Sequence, residues 1–500
     1  MVGFGRSPWG SPGFLGPTKD RKAPPGCLVL PGNRIFCPPG LVTKGALPSG
    51  PLGPVPQNFG GGFGGFGLFG YGPSPTPTPT SESEPVDTSC RDNLSDPGFD
   101  VPFSTTVNVS GGGAALQNAV NAAGPNTRLL ITDSAVYDPV LINGKTNLTI
   151  EGQAGQTPII RRPPPSSFPS TVPGWALRLS GVCDGIGIKN IRFEGHGNQN
   201  SLSFADNGLI NCRPDVGGEA IVTLNHMIVE DCLFQEMSDS PINGNAAIAL
   251  YAGGTGVGSS NIVVRRCIMD TNGAGSWATG NNVGAVTIAG FGDVWIQNSW
   301  IRRTDSLVAR AASHMRGVCV KNLNTRIEDV LVDDIGTAGS NENFNQPVGG
   351  TVQFGTAVGP TTVRNCVAYN AKRGYRQQVA GATMTVTTSV YHTDTPGILA
   401  GQVAVRQSAG TMVFRNNVMV GAGDGTAFEA AVTEDHNDVF NFGATGKVLD
   451  PTDLTIDPVF QDVPNNIWVA TAPALQTAGS DAGPLGVRYP GGEAIIWCGA

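Results

Sequence analysis

The sequence predicts an all-β chain built mainly as a parallel β-helix, and three observations lead there. The first is a recurring segment in which an apolar residue is followed by a polar pair and then a small residue. NIVVRRCIM (Asn261 to Met269) is one copy. Others are MIVEDCLF (Met227 to Phe234), VWIQNSWI (Val294 to Ile301), TRIEDVLV (Thr325 to Val332), TTVRNCVA (Thr361 to Ala368), MTVTTSVY (Met384 to Tyr391) and MVFRNNVM (Met412 to Met419), with a looser copy in IGIKNIRF (Ile186 to Phe193). The apolar anchors Ile188, Val229, Val264, Ile296, Ile327, Val363, Val386 and Phe414 recur at steps of 23 to 41 residues, which signals a repeat architecture with insertions between copies. The second observation is an extra strand candidate for most copies: AAIALYAGG (Ala246 to Gly254), GAVTIAG (Gly284 to Gly290), GVCVKN (Gly317 to Asn322), TVQFG (Thr351 to Gly355), GYRQQ (Gly374 to Gln378), VAVRQ (Val403 to Gln407) and AFEAA (Ala427 to Ala431). Three short strands with turns between them make one coil of a parallel β-helix. The third is composition: 70 Gly, 38 Pro and only 14% charged residues describe a turn-rich, strand-rich chain. Five hundred residues exceed one ordinary compact core, a limit a solenoid escapes because each repeat packs only on its neighbours.

Taken in order, residues 1–86 are a different material. GFGRSPWGSPGFLGP, GALPSGPLGPVPQ and FGGGFGGFGLFGYG carry Gly and Pro without strand or helix periodicity, and SPTPTPTSESEP reads as an extended, solvated linker. The Phe residues and Trp9 set this arm apart from a purely solvated tail, which is poor in aromatics, so it is expected to order by docking onto an assembly. Residues 87–145 form the capping segment. Its helix candidate, Ala114 to Ala123, places Leu116, Ala119, Val120 and Ala123 on one face, suited to covering the open end of a strand stack. Residues 146–450 hold the coils. In VRNCVA, Val363 and Cys366 are expected to point inward, and Asn365 to take the corner, where Asn tolerates a left-handed backbone. Residues 451–500 depart from the repeat and are expected to form the closing coil and cap.

Charge and cysteine usage narrow the function. A net charge of −8 and a pI near 5.2 argue against a general nucleic-acid binder. No apolar run reaches the roughly 20 residues a membrane span needs, and the N-terminal MVGFGRSPWGSPGF lacks the apolar core of a Sec-type signal. Cys232, Cys267 and Cys366 share one repeat position with Ser299, Val330, Ser389 and Asn417, which marks a small, buried slot and not a disulfide framework. Cys27 and Cys37 flank LVLPGNRIF, a hairpin that a bridge would close, although a cytosolic product stays reduced.

The helix-then-strands opening (ALQNAVNAAG, then AVYDPVLINGKTNLTIEG), the VxNCxF-type repeat and the closing DPVFQD, APALQTAG and GPLG resemble the right-handed parallel β-helix proteins of the pectate-lyase-like superfold, over residues 101–490. The resemblance implies a right-handed single-chain β-helix. It is specific for fold and weak for activity, since that superfold hosts lyases, hydrolases, phage tailspikes and inert adhesins. Polygalacturonase-like enzymes carry NTD, DD, GHG and RIK in that order; here VDDIG is preceded by SHMRG, no NTD or RIK is present, and GHG (Gly195 to Gly197) comes too early. The calcium-dependent pectate lyase Asp and Arg set is not recognisable either. No cofactor and no metal are expected.

The resemblance implies that a polysaccharide groove runs along the outer face of one sheet, beside the loops leading into it. Alternation places Tyr251, Thr287, Lys321, Gln353, Arg376, Arg406 and Glu429 outward on the candidate sheet. Two readings of this row stand: a track for an acidic sugar chain, or a solvated face that keeps the strands soluble. The lead-in loops carry Asp239, Asp270, Asp305, Asp333, Asp334 and Asp394. Glycosidic hydrolysis needs two carboxylates at ~5 Å or at ~6.5–9.5 Å; Asp305 with Asp333 or Asp334 is the best candidate pair, against the alternative that Asp merely forms turns. His314 in AASHMRG is a candidate acid or base, against a structural role.

These features predict a virion-associated β-helix, a tailspike, fibre or decoration protein. It would attach through residues 1–86, present its shaft to a host glycan and, like many such proteins, form a homotrimer. It would be made in the host cytoplasm. The alternatives are an extracellular polysaccharide lyase or glycoside hydrolase, and an inert surface adhesin.

Overall fold

The computed structural model describes residues 28–30, 34–36, 103–162, 175–195, 208–212, 223–235, 246–252, 261–270, 285–302, 316–333, 342–346, 358–463 and 467–488. The chain divides into two units, Met1–Thr76 and Pro77–Ala500, a boundary that falls within the Pro/Thr stretch Ser74 to Pro85. In the first unit, Leu28–Leu30 pairs antiparallel with Arg34–Phe36, Leu28 opposite Phe36. Cys27 and Cys37 lie outside the described residues, as does any bridge between them.

The second unit is a right-handed parallel β-helix. One coil shows its plan: Arg373–Gln377, then Thr383–Thr387, then Val390–His392. Each strand pairs in parallel with its counterparts one coil before and after, so Val363 stands beside Val386 and Val386 beside Phe414. The first strands of the coils make a ten-stranded sheet from Val140–Asn143 to Thr426–Phe428. The second and third make a 21-stranded sheet bent along a corner. The strand expected at Thr351 to Gly355 lies outside the described residues; Glu342–Gln346 pairs with Arg316–Lys321 and Arg373–Gln377.

The bend is made by one residue per coil in the left-handed region. Asn190, Asp231, Arg266, Asn298, Asp329, Asn365, Thr388, Asn416 and His436 all have φ between 44° and 60°. Asn and Asp accept this conformation most readily among residues with a side chain, which is why six of these nine are Asn or Asp. On either side of the corner the side chains turn inward. Every anchor from Ile188 to Phe414 is fully buried. The small position three residues on is buried as well, and Cys232, Cys267 and Cys366 are unbridged. Toward the C-terminus this column turns polar without losing its partners. The amide of Ser389 donates to Asn417 Oδ1 at 2.8 Å, and Asn417 Nδ2 donates to Val386 O at 3.1 Å. Asn437 repeats the pattern one coil later, accepting from the Asn417 amide and donating to Phe414 O.

Helix Ala115–Ala122 caps the first coil, burying Leu116 and Val120. Gln117 substitutes for a missing strand: its Oε1 accepts from the Leu141 amide at 2.6 Å and its Nε2 donates to Leu141 O at 3.1 Å. The chain reaches this helix through Gly112, at φ 66°, where a Cβ would stand 2.7 Å from Val136 O. At the other end the chain does not stay on the open coil. After Leu454 bridges Asp438 it turns back along the flank. Ser480 and Gly486 bond Asn416, and the Arg488 amide donates to Asn365 Oδ1 at 2.6 Å. This strap buries Trp468, Leu475, Leu485 and Val487 against the outward faces of Leu331, Val367, Val390 and Val418, a second core outside the coils.

Two stability measurements check this reading. Thr388 is β-branched and sits at φ 46°, so Thr388→Asn is expected to raise the urea midpoint by about 1 kcal/mol equivalent. Asn417→Ala leaves the Ser389 amide without that acceptor and is expected to cost about 2–4 kcal/mol. Equal midpoints for both variants would remove the corner and ladder from the account of stability.

Candidate functional site

The outer face of the ten-stranded sheet is ordered by register. Its outward residues form two columns, not the single row expected from alternation. One runs Arg178, Asn211, Ala249, Thr287, Cys319, Asn345, Arg376, Arg406. The other holds Tyr251, Ala289 and Lys321. Alternation fixes which side a residue faces but not which column it joins, so Tyr251 and Lys321 are set apart from Arg376 and Arg406. Nor is the face uniformly solvated. Thr287 is 0% exposed, Tyr251 5% and Lys321 7%. Gln353 lies outside the described residues, and its expected place between Lys321 and Arg376 is held by Glu342–Gln346, with Asn345 beside Arg376.

The column opens at Arg376 and Arg406, which stand side by side on neighbouring strands. Like charges in this arrangement repel and need compensation. It comes from Glu342, whose side chain is fully buried. Its Oε1 accepts from Arg373 Nη1 at 2.9 Å and from Arg376 Nη1, and its Oε2 accepts from Asn345 Nδ2 at 2.8 Å. Arg373 Nη2 also donates to Gln402 Oε1 at 2.8 Å. Arg406 approaches Glu429 at 3.8 Å, with both side chains about one-third exposed. Among the described residues, three guanidiniums therefore face two carboxylates. Burial lowers the guanidinium pKa of Arg376, with Glu342 pulling it up and Arg373 and Arg406 pushing it down. Burial also lowers the Lys321 ammonium. Sequence reasoning missed Glu342, Arg373 and Gln402. ENFNQ carries a single apolar residue and gives no strand alternation to read.

The adjoining wall shows the contrast. There Lys189, Glu230 and Arg265 follow one another in register and close pairs at 2.8 and 2.5 Å, and Arg415 closes on Asp435 at 2.5 Å. Those charges alternate in sign and neutralise along the column.

Of the carboxylates and the histidine expected to act in catalysis, Asp305, Asp334 and His314 lie outside the described residues. Asp333 ends the Asn324–Asp333 strand, in register with Arg302, which in turn stands beside Asp270 at 3.5 Å. The two acids thus flank a cation, about 9–10 Å apart along the stack by strand spacing. Asp394 accepts from the Tyr369 hydroxyl at 2.6 Å. Burial would raise its carboxyl, but Tyr369 and Asn370 outweigh that and hold it below the ordinary value, which suits an anion and not a proton donor. Among the described residues no cluster of His, Cys, Asp and Glu could hold a metal ion, and no helix is long and apolar enough to cross a membrane.

No family model and no curated protein matches the sequence. Solved structures similar in shape include pectate lyase Pel9A, at 14% identity and a TM-score of 0.40, covering 78% of this chain and 97% of that one. Another is the PL6 family alginate lyase AlyGC, at 12% identity and a TM-score of 0.35, where the match covers 77% of this chain and 59% of that one.

The buried carboxylate is the testable keystone. Glu342→Gln leaves Arg373 and Arg376 uncompensated and is expected to lower stability by about 3–5 kcal/mol. Arg406→Ala, at the open rim, is expected to stay within about 0.5 kcal/mol of the parent. Chemical denaturation of the two variants beside the parent measures both.

Proposed function

We propose that the chain is a glycan-binding β-helix that attaches to a larger assembly, such as a virion, through residues 1–86. The observation behind glycan binding is the in-register pair Arg376 and Arg406 at the open end of an otherwise buried outer face. A guanidinium offers a planar fork to carboxylate or sulfate groups, and the surplus positive charge sits on a protein whose net charge is −8. An anionic polysaccharide lying along the axis would meet repeating partners at about the 4.8 Å coil spacing. Support for attachment is compositional: a Gly/Pro arm carrying aromatics, then a Pro/Thr linker, then the shaft.

A specific observation favours a second reading, polysaccharide lysis by β-elimination. Burial lowers the Lys321 ammonium, which moves a lysine toward the role of base. Asp305, Asp333, Asp334 and His314 remain the candidates for a hydrolytic alternative.

The shaft reading is tested by calorimetric titration of the full chain with acidic and neutral oligosaccharides. Arg406→Ala is expected to weaken acidic-glycan binding about tenfold and to flatten its salt dependence. Absence of binding across a broad glycan panel would overturn the reading. Deleting residues 1–86 is expected to leave the glycan affinity unchanged and abolish incorporation into the particle; normal incorporation would refute attachment through the arm. Incubation with polyuronates, followed by the absorbance of unsaturated products, decides for or against lysis.

A further inference from the structure

The strap, described over residues 460–463 and 467–488, covers an outward column that changes character beneath it. From Asp333 the column passes to Tyr369, His392 and Val420. His392 lies among three rings: stacked on Tyr369 at 5.6 Å and 16°, tilted against Trp468 at 5.4 Å, and edge-on to Phe460 at 5.4 Å. Two of those rings belong to the strap. Trp468 is fully buried, and His392 Nδ1 is buried without a hydrogen-bond partner. From the shaft side the charged group facing the imidazole is Asp394, whose carboxylate is already engaged by the Tyr369 hydroxyl and the Asn370 side chain. From the strap side it meets Phe460 and Trp468, both uncharged.

We propose that the C-terminal strap is an acid-released cover over the apolar flank of the shaft, and that His392 is its trigger. A proton on the imidazole would put an N–H at the buried Nδ1, where no acceptor faces it while the strap is docked, a desolvation cost set against the attraction of the ring faces for a cation. With the strap lifted the ring meets water and takes the proton at ordinary cost. Burial accordingly holds the docked imidazole down to about 4, from 6.5, with Asp394 opposing the shift. Since the docked form is the poorer proton binder, docking is undiminished above pH 6.5 and weakens as pH falls toward 4. Linkage makes the docking constant about 30-fold smaller at about pH 5 and roughly 300-fold smaller once both forms are protonated. Asp481 titrates below this window, and the two raised carboxyls nearby act in the opposite sense to His392. Asp481, paired with Arg488 within the strap, is held to about 2. Asp438, which accepts from the Ile456 amide just before the strap, is raised by burial to about 7, and Glu434 to about 8; groups that hold a proton more tightly when buried favour the buried form as pH falls, so neither drives release. Release bares Leu331, Val367, Val390 and Val418 and leaves the coils behind them intact.

Hydrogen–deuterium exchange of the full chain, with labelling times corrected for intrinsic pH dependence, reads this directly. Peptides covering 467–475 and 484–488 are expected to lose protection by tens-fold between about pH 7 and 5, while the Thr383–Thr387 strand keeps its own. In His392→Phe, which keeps an aromatic ring in the box, strap protection is expected to become pH-independent. A parent strap that stays protected at about pH 5, or a Phe variant that loses protection as the parent does, overturns the proposal. Should the Phe variant fail to fold, imidazole titration by NMR on the parent decides. A His392 titration midpoint well below the ordinary value supports the trigger, and a midpoint near 6.5 overturns it.

Discussion

Everything in this molecule depends on the parallel ladder that places each coil in register on the last. The ladder satisfies the backbone of the buried walls and sets a translation of about 4.8 Å, so each side chain meets the same position of the next coil as its neighbour. Inside, that constraint is met by columns of like residues: Ile, Val and Phe at the anchors, and Cys, Ser or Asn three positions on. A column can turn polar only where each member bonds the next, as Ser389, Asn417 and Asn437 do.

Outside, the same register acts on charge. A charged residue in a stack must alternate in sign with its neighbours, find a partner from another column, or repel. The wall beside the corner alternates, and its charges are spent on one another. The ten-stranded sheet instead sets Arg376 on Arg406 and answers with a carboxylate, Glu342, from a different position of its strand. One buried acid shared by Arg373 and Arg376 fixes their orientation and leaves the cluster short of negative charge. Stability alone would be served by a neutral column, so this wall is where ligand chemistry is sought.

How much of this was legible in the sequence follows from what a repeat encodes. The anchors, the Cys slot and the Asn365 corner were readable because each recurs and each answers a local demand: burial, small volume, a left-handed backbone. The capping helix was readable from its apolar face. Parity of the outward residues was readable too, but not their column, because a shift of two residues keeps the same face. Tyr251 and Lys321 were therefore grouped with Arg376. Glu342–Gln346 is not legible as a strand, since ENFNQ holds one apolar residue and its burial is supported by hydrogen bonds that only the assembled wall supplies. The strap was illegible for another reason. Its partners Asn416 and Asn365 lie 64 and 123 residues away from the positions they hold, and no local pattern announces such a contact.

A repeat also makes its own exceptions informative. Where all neighbours are alike, a residue that breaks the column costs stability unless something outside the column restores it. Three breaks stand out among the described residues. Glu434 ends the anchor column with a buried acid, and Lys447 at 3.1 Å answers it. His392 is a titratable ring where the outer column has turned uncharged, between Tyr369 and Val420, and the strap encloses it with Trp468 and Phe460. Arg376 and Arg406 set like charges together, and Glu342 and Glu429 leave a net positive charge. In the first the compensating group lies at the shaft's end, where it closes the core. In the second it is the strap, whose docking then depends on keeping the imidazole neutral. In the third the compensation stops short of neutrality, at the part of the wall where the side chains reach solvent. The differing degree of compensation separates a structural cap, the cover proposed to be conditional and the surface proposed to bind anions, all built from one repeated backbone.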